Sequence, residues 1–230
     1  MYIKSEWKKA TMIKLIQEPT RQRLCRAKHG VKITSHASVV AETVQKILDV
    51  MITWKIEAAG KIDADIEVTK DDEFPDLPRF GVRMFLDEKT LSCKIPFGMG
   101  PQESYCDKHQ AASHGLYQAN VDDLHEDYIR PQENGSHYDC EYVELNNSRY
   151  GIVVSAENAF SFNASYYTQE ELEEKTHNYE LTESDSVVFC VDYALNGIGS
   201  NSCGPVVLEQ YRFDDVLFRF QFTLIPYIKG

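Results

Sequence analysis

Long apolar runs, positive charge and paired cysteines are all scarce in this 230-residue sequence. No stretch approaches the roughly 20 apolar residues that a membrane helix needs, so a helical membrane anchor is not expected. Met1 to Ala10 is mixed and charged, without an apolar core and a small-residue cleavage site, so no secretory signal is read. Acidic residues outnumber basic ones, 36 to 24, giving a formal net charge of -12 and a pI near 5.0. Such a surface repels phosphate backbones, which argues against a nucleic-acid partner. The six cysteines, Cys25, Cys93, Cys106, Cys140, Cys190 and Cys203, include no C-x-x-C pair. Free thiols in a reducing compartment are expected, with a cytoplasmic location. The two glycosylation sequons, at Asn146 and Asn163, are then chance matches.

Long helical periodicity is also scarce, whereas tyrosine and phenylalanine are abundant at 13 and 11 copies. That combination favours strands. Val31 to His36 alternates apolar with polar, Ile52, Trp54 and Ile56 share one face, and Ile62, Ala64, Ile66 and Val68 repeat the two-residue period. An acidic loop, Lys70-Asp71-Asp72-Glu73, follows. Near the C-terminus, Val216, Phe218, Phe220, Phe222 and Leu224 point one way, and Leu217, Arg219, Gln221 and Thr223 the other. One helix is signalled. Thr168-Gln169-Glu170-Glu171 has the form of a capping box, predicting a helix from there to about Lys175. From Phe97 to Asn147 the texture turns irregular, punctuated by Gly98-Met99-Gly100-Pro101, Arg130-Pro131 and Asn134-Gly135. The expected architecture is mainly β: a large antiparallel β-sandwich with long connections and one short helix. One sandwich over residues 1–230 is preferred to a split near Pro75 to Pro78.

Three segments carry a resemblance. They are Gly98-Met99-Gly100-Pro101-Gln102-Glu103-Ser104-Tyr105-Cys106-Asp107, Tyr128-Ile129-Arg130-Pro131-Gln132-Glu133-Asn134-Gly135 and Gly197-Ile198-Gly199-Ser200-Asn201-Ser202-Cys203-Gly204-Pro205. In order and spacing they resemble the small-chain, or fifth, domain of the β-galactosidases of glycoside hydrolase family 2. Phe160 to Asn163, Tyr167 to Leu172 and Trp7 to Met12 resemble the same domain. The resemblance implies a supersandwich related to galactose mutarotase. It also implies a partner, a catalytic (β/α)8 barrel in the same chain or in a large subunit, and a galactoside substrate met only in the assembled site. The chain is expected to begin after the domain's first strands. A homo-oligomer is a further expectation, as a way of covering apolar surface that a barrel would otherwise cover.

A retaining glycosidase needs two carboxylates about 5–5.5 Å apart. In the family both lie on the barrel, and no counterpart of those segments is found, so no catalytic residue is assigned. Glu103 and Glu133, each after a Pro-Gln pair, are the tempting substitutes for acid and nucleophile. The favoured reading makes them loop carboxylates that accept backbone amides or pair with an arginine. With them, Gly100, Pro101, Tyr105, Asp107, Pro131, Asn134 and Gly135 are assigned structural roles in the motifs. His36, His109, His114, His125, His137 and His177 are scattered, with no His–Glu pair assignable to proton transfer and no metal-ligand spacing. No metal and no cofactor are expected. Tyr105, Tyr128, Tyr166 and Tyr167 are read as core or interface aromatics before sugar-stacking ones. The substrate-loop candidates are Asn196, Gly197, Gly199, Ser200, Asn201, Ser202 and Cys203. Some family members carry a large aromatic in the place of Cys203, on a loop that reaches the sugar. A sugar-contacting loop and a plain inter-strand turn both stay open there. Two other functions compete: a stand-alone mutarotase-like sugar-binding or epimerase protein, and an interaction module without a sugar role.

Overall fold

The computed structural model describes residues 16–27, 29–40, 46–87, 92–199 and 206–229. The chain divides into two compact units, 1–78 with 196–226, and 79–195 with 227–230. The division falls at Pro78, in the Pro75 to Pro78 segment.

In the first unit, β1 (Ile16–Ala27), β2 (Gly30–Val40), β3 (Lys46–Glu57), β4 (Ile62–Lys70) and the C-terminal strand β11 (Leu217–Ile228, its last residues in the second unit) are antiparallel neighbours in the order β1-β2-β3-β4-β11. The two-residue period dictates this sheet. Ala64, Ile66 and Val68 of β4 pair with Phe222, Phe220 and Phe218 of β11, and all six are buried. Trp54 of β3 meets Phe222 edge to face at 6.2 Å. The opposite face is a polar ladder. Arg219 donates two 2.7 Å hydrogen bonds to the Asp65 carboxylate, and the Thr223 hydroxyl donates to Asp63 at 2.7 Å. Val216 does not belong to the buried row. It precedes the strand and is 43% exposed. Lys70 is not a solvated loop residue either. It ends β4 buried, and its Nζ donates to the carbonyls of Phe74 (2.7 Å) and Asp71 (3.2 Å), closing the turn that follows.

The second unit holds β5 (Arg79–Leu86), β6 (Ser92–Gly100), β7 (Ser113–Asn120), β8 (Ser136–Asn146), β9 (Tyr150–Ser165) and β10 (Val187–Leu195), again all antiparallel, in the order β5-β10-β9-β8-β6-β7. β10 lies between β9 and β5, and Val187 to Asp192 are all buried. A strand covered on both faces reads as an unbroken apolar run rather than an alternation. The core gathers Val143, Leu145, Val154, Phe160, Phe162, Val188, Phe189 and Val191.

Two further expectations need correction. The segment from Phe97 to Asn147 is not one long irregular region, because it contains β7 and most of β8. The alternation in β8 is hidden by register shifts around Cys140, where Asp139 takes a left-handed φ of 57°. The helix, α1, spans Gln169–Glu174, and the Thr168 hydroxyl accepts from the Glu171 amide at 3.1 Å. The return arm of the capping box is absent, since the Glu171 carboxylate accepts from the Thr182 amide at 2.8 Å instead. Among the described residues this is the one α-helix.

Candidate functional site

The first two motif segments meet in the second unit. The first leaves β6 through the cis Gly100–Pro101 peptide, and the second runs into β8. Hydrogen bonds join them: the Ser104 amide donates to the Ser136 carbonyl at 2.8 Å, and the Tyr138 amide to the Ser104 hydroxyl at 2.9 Å. Glu103 lies at the junction, buried. Its carboxylate accepts from Lys108 Nζ, from the Tyr128 hydroxyl and from the Gly135 amide (2.8 Å), with the Tyr105 hydroxyl at 3.4 Å. Burial pushes the Glu103 carboxyl up, but these donors outweigh it and hold the group below the usual carboxylate value. Gly135 can donate because it occupies φ 70°, where a Cβ would stand 2.4 Å from the Leu124 carbonyl oxygen. Asn134, also buried, accepts from the Glu126 amide at 3.1 Å and donates to the Gln132 carbonyl at 2.9 Å.

Glu133 faces a different partner. Arg79, the first residue of β5, donates from Nη1 to Glu133 Oε2 at 3.2 Å and holds the β10 carboxylate Asp192 at two points, 3.2 and 2.5 Å. The Asp192 side chain is 3% exposed and that of Arg79 24%. Burial pushes both carboxyls up, while Arg79 pulls them down. One guanidinium therefore serves two acids. Asp192 takes the fork, and Glu133 keeps Oε1 buried without a hydrogen-bond partner although its side chain is 30% exposed. Gly81 lies opposite Asp192 in the β5–β10 register, and a Cβ there would stand 2.3 Å from Asp192 Oδ1.

The remaining candidates are placed as follows. Tyr105 is buried, with its hydroxyl on Glu103, and burial raises it well above the usual phenol value. The Tyr167 ring packs against His125 at 4.9 Å, and Tyr166 is buried. His137 is buried on Phe162, with Nδ1 3.1 Å from the Met99 carbonyl and Nε2 without a partner. His36, His114 and His177 lie beside carboxylates, and His109 beside the Tyr105 carbonyl. No cluster of three or more metal-type side chains occurs among the described residues. Burial pushes the Cys106, Cys140 and Cys190 thiols up to about 11, 12 and 11, so none is poised as a thiolate. Among the described residues no helix is long and apolar enough to cross a membrane.

Chemically, the junction is a framework. Glu103 is saturated with donors, and Asp192 is committed to Arg79. The beta galactosidase small chain family matches residues 1–224. The chain belongs to this family. As a β-galactosidase small chain it is 42% identical, over 97% of its length, to a β-galactosidase of Actinobacillus pleuropneumoniae. It is 35% identical over 84% to one of Staphylococcus xylosus and 30% identical over 85% to one of Kluyveromyces lactis. It spans only 22%, 19% and 20% of the length of these relatives, about a fifth. Galactose 1-epimerase from Lactobacillus acidophilus NCFM shares the fold, with a TM-score of 0.52 at 10% identity over 95% of this chain and 68% of the epimerase. The mainly β, galactose mutarotase-like fold expected of the small chain is thus the one observed.

The third motif follows β10 in the first unit. Asn196 donates its amide to the Pro78 carbonyl and Gly197 to the Tyr211 carbonyl, both at 2.9 Å, and Gly199 takes a φ of 51°. Ser200, Asn201, Ser202 and Cys203 lie outside the described residues. Sequence reasoning missed Arg79, Lys108 and Asp192. A signal for Asp192 was present: an acid closing the run Val187-Val188-Phe189-Cys190-Val191 demands a buried cation.

Proposed function

We propose that this small chain is the non-catalytic β portion of a β-galactosidase, active on terminal β-galactosides such as lactose only together with a catalytic barrel. The observation that carries the reading is the coverage. Nearly all of this chain matches β-galactosidases, yet it accounts for about a fifth of each. The engagement of Glu103 by Lys108, Tyr128, Gly135 and Tyr105 supports the same view, because a carboxylate that already accepts from four donors is a poor acid or nucleophile. The domain spans residues 1–230, and the loop Asn196 to Cys203 shapes the mouth of the assembled sugar site. Its glycines permit tight backbone paths, and a small misplacement of substrate costs about 10²-fold in rate. Cytoplasmic residence suits cysteines without a C-x-x-C pair and an excess of acidic residues.

A nitrophenyl β-galactoside assay on the purified chain tests this. No turnover is expected, and clear turnover would refute it. The epimerase likeness gives a second reading, a stand-alone aldose mutarotase. Polarimetry of α-galactose with the purified chain decides against that reading if the rate equals the buffer rate. In an assembled enzyme, Cys203→Trp and loop deletion should change KM or transfer to acceptor sugars, and unchanged kinetics for both would remove the loop from the account.

A further inference from the structure

The second unit carries two short loops that are braced by hydrogen bonds yet present apolar side chains to solvent. In the first, Ile129 is 98% exposed, the highest value among the described large hydrophobic residues. Its neighbours are fixed. Tyr128 binds Glu103 and Lys108 through its hydroxyl and Glu126 through its amide (2.8 Å), and Pro131 is buried. In the second, Tyr179 is 84% exposed, with its ring stacked on His177 at 5.1 Å. The Glu180 carboxylate locks that turn, accepting from the Thr176 amide (3.0 Å), the Thr176 hydroxyl (2.9 Å) and the His177 amide (2.9 Å). Asn178 Nδ2 donates to Asp127 Oδ1 at 3.4 Å and ties the two loops together.

An exposed isoleucine contributes nothing to the fold of its own chain, and single exposed apolar residues are ordinary. Two of them on braced and mutually tied loops are different. The ordering cost that binding usually imposes on a loop has been met by the fold, which is what a preorganised anchor requires. We infer that Ile129 and Tyr179 form an anchor that docks this domain onto the catalytic portion of its β-galactosidase. The inference rests on the proposed function and adds the surface. The occupant follows from the relatives, in which 78% of the Actinobacillus chain lies beyond the matched 22% and has to be covered and contacted by something. Glu126 and Asp127 border the anchor, so the receiving surface is an apolar pocket with a basic rim.

The test uses a full-length chimaera, the Actinobacillus β-galactosidase with its matching segment replaced by this chain. Ile129→Asp with Tyr179→Asp should leave the melting temperature of the 230-residue chain unchanged. In the chimaera the pair should speed proteolytic release of the segment at least about tenfold, with parallel loss of nitrophenyl galactoside turnover. Ile129→Val should behave as the parent. An active parent chimaera whose double variant is equally active and equally protease-resistant overturns this inference alone. An inactive parent chimaera counts against the proposed function instead. A lower melting temperature for the variant 230-residue chain makes the two residues structural and overturns the anchor. So does a wild-type chain that dimerises while the variant stays monomeric, which assigns the surface to a second copy.

Discussion

Replacing Arg79 with methionine probes the most demanding electrostatic feature of the second unit. Arg79 fills the space between Asp192 and Glu133, and methionine retains much of its stem while removing the guanidinium. Asp192 is buried at 3% exposure and would lose both of its hydrogen bonds from Arg79. Breaking a buried ion pair by removing one partner costs about 3–5 kcal/mol, and Arg79 is buried enough for that range to apply. For a chain of this size each kcal/mol is about 2–4 °C, so the melting temperature should fall by roughly 6–20 °C. The loss should depend on pH. Burial raises the Asp192 carboxyl in the folded state, so its favourable contribution is present below the unfolded value and lost as pH rises through the folded one. Without Arg79 the folded value rises further, and the deficit should be larger at about pH 8 than at about pH 5. Adding Asp192→Asn, which keeps the shape and removes the charge, should recover part of the stability. Urea titrations at both pH values measure all three quantities. A loss under about 1 kcal/mol, or one independent of pH, would refute the reasoning.

Three further outcomes are expected. His137 is held below its usual value by burial, so the stability it supports is present above about pH 6.5 and lost as pH falls towards its folded value, and His137→Asn should flatten that acid limb of the melting profile. Glu103 is the charged group that opposes this shift, and NMR titration of the His137 ring at or above the free-histidine value would count against it. Phe222→Ala, at the meeting of Trp54 and the β4 row, should cost about 3–5 kcal/mol in urea unfolding. Gly135→Ala should cost at least about 1–2 kcal/mol from its left-handed φ alone, with more from the approach to Leu124, and a near-neutral result would mean that the motif junction relaxes freely.

The strands with one wet face were readable. β4 and β11 follow a strict two-residue period because one side meets Phe and Ile and the other carries Asp65, Arg219 and Thr223. β8 was hidden because its period breaks at the Asp139 bulge, and β7 because its Ser-His-Gly-Leu-Tyr sequence carries little apolar signal on a sparsely buried strand. At the candidate site, the motifs located Glu103 and Glu133, but their partners were invisible. Lys108 and Tyr128 reach Glu103 from different loops, and Arg79 reaches Glu133 across 54 positions of sequence. Periodicity reports what faces a core. It does not report which cation a loop carboxylate finds after folding. The absent arm of the Thr168 capping box makes the same point, since Thr182, eleven residues from Glu171, captures the carboxylate.

On the proposed reading, this chain serves as the β portion of a β-galactosidase and supplies no catalytic carboxylate itself. Turnover of nitrophenyl β-galactoside by three proteins tests it most directly: the chain alone, the Actinobacillus enzyme lacking its matching segment, and that enzyme with this chain in the segment's place. Turnover is expected only in the third. Turnover by the chain alone, or a replacement as inactive as the deletion, would contradict it.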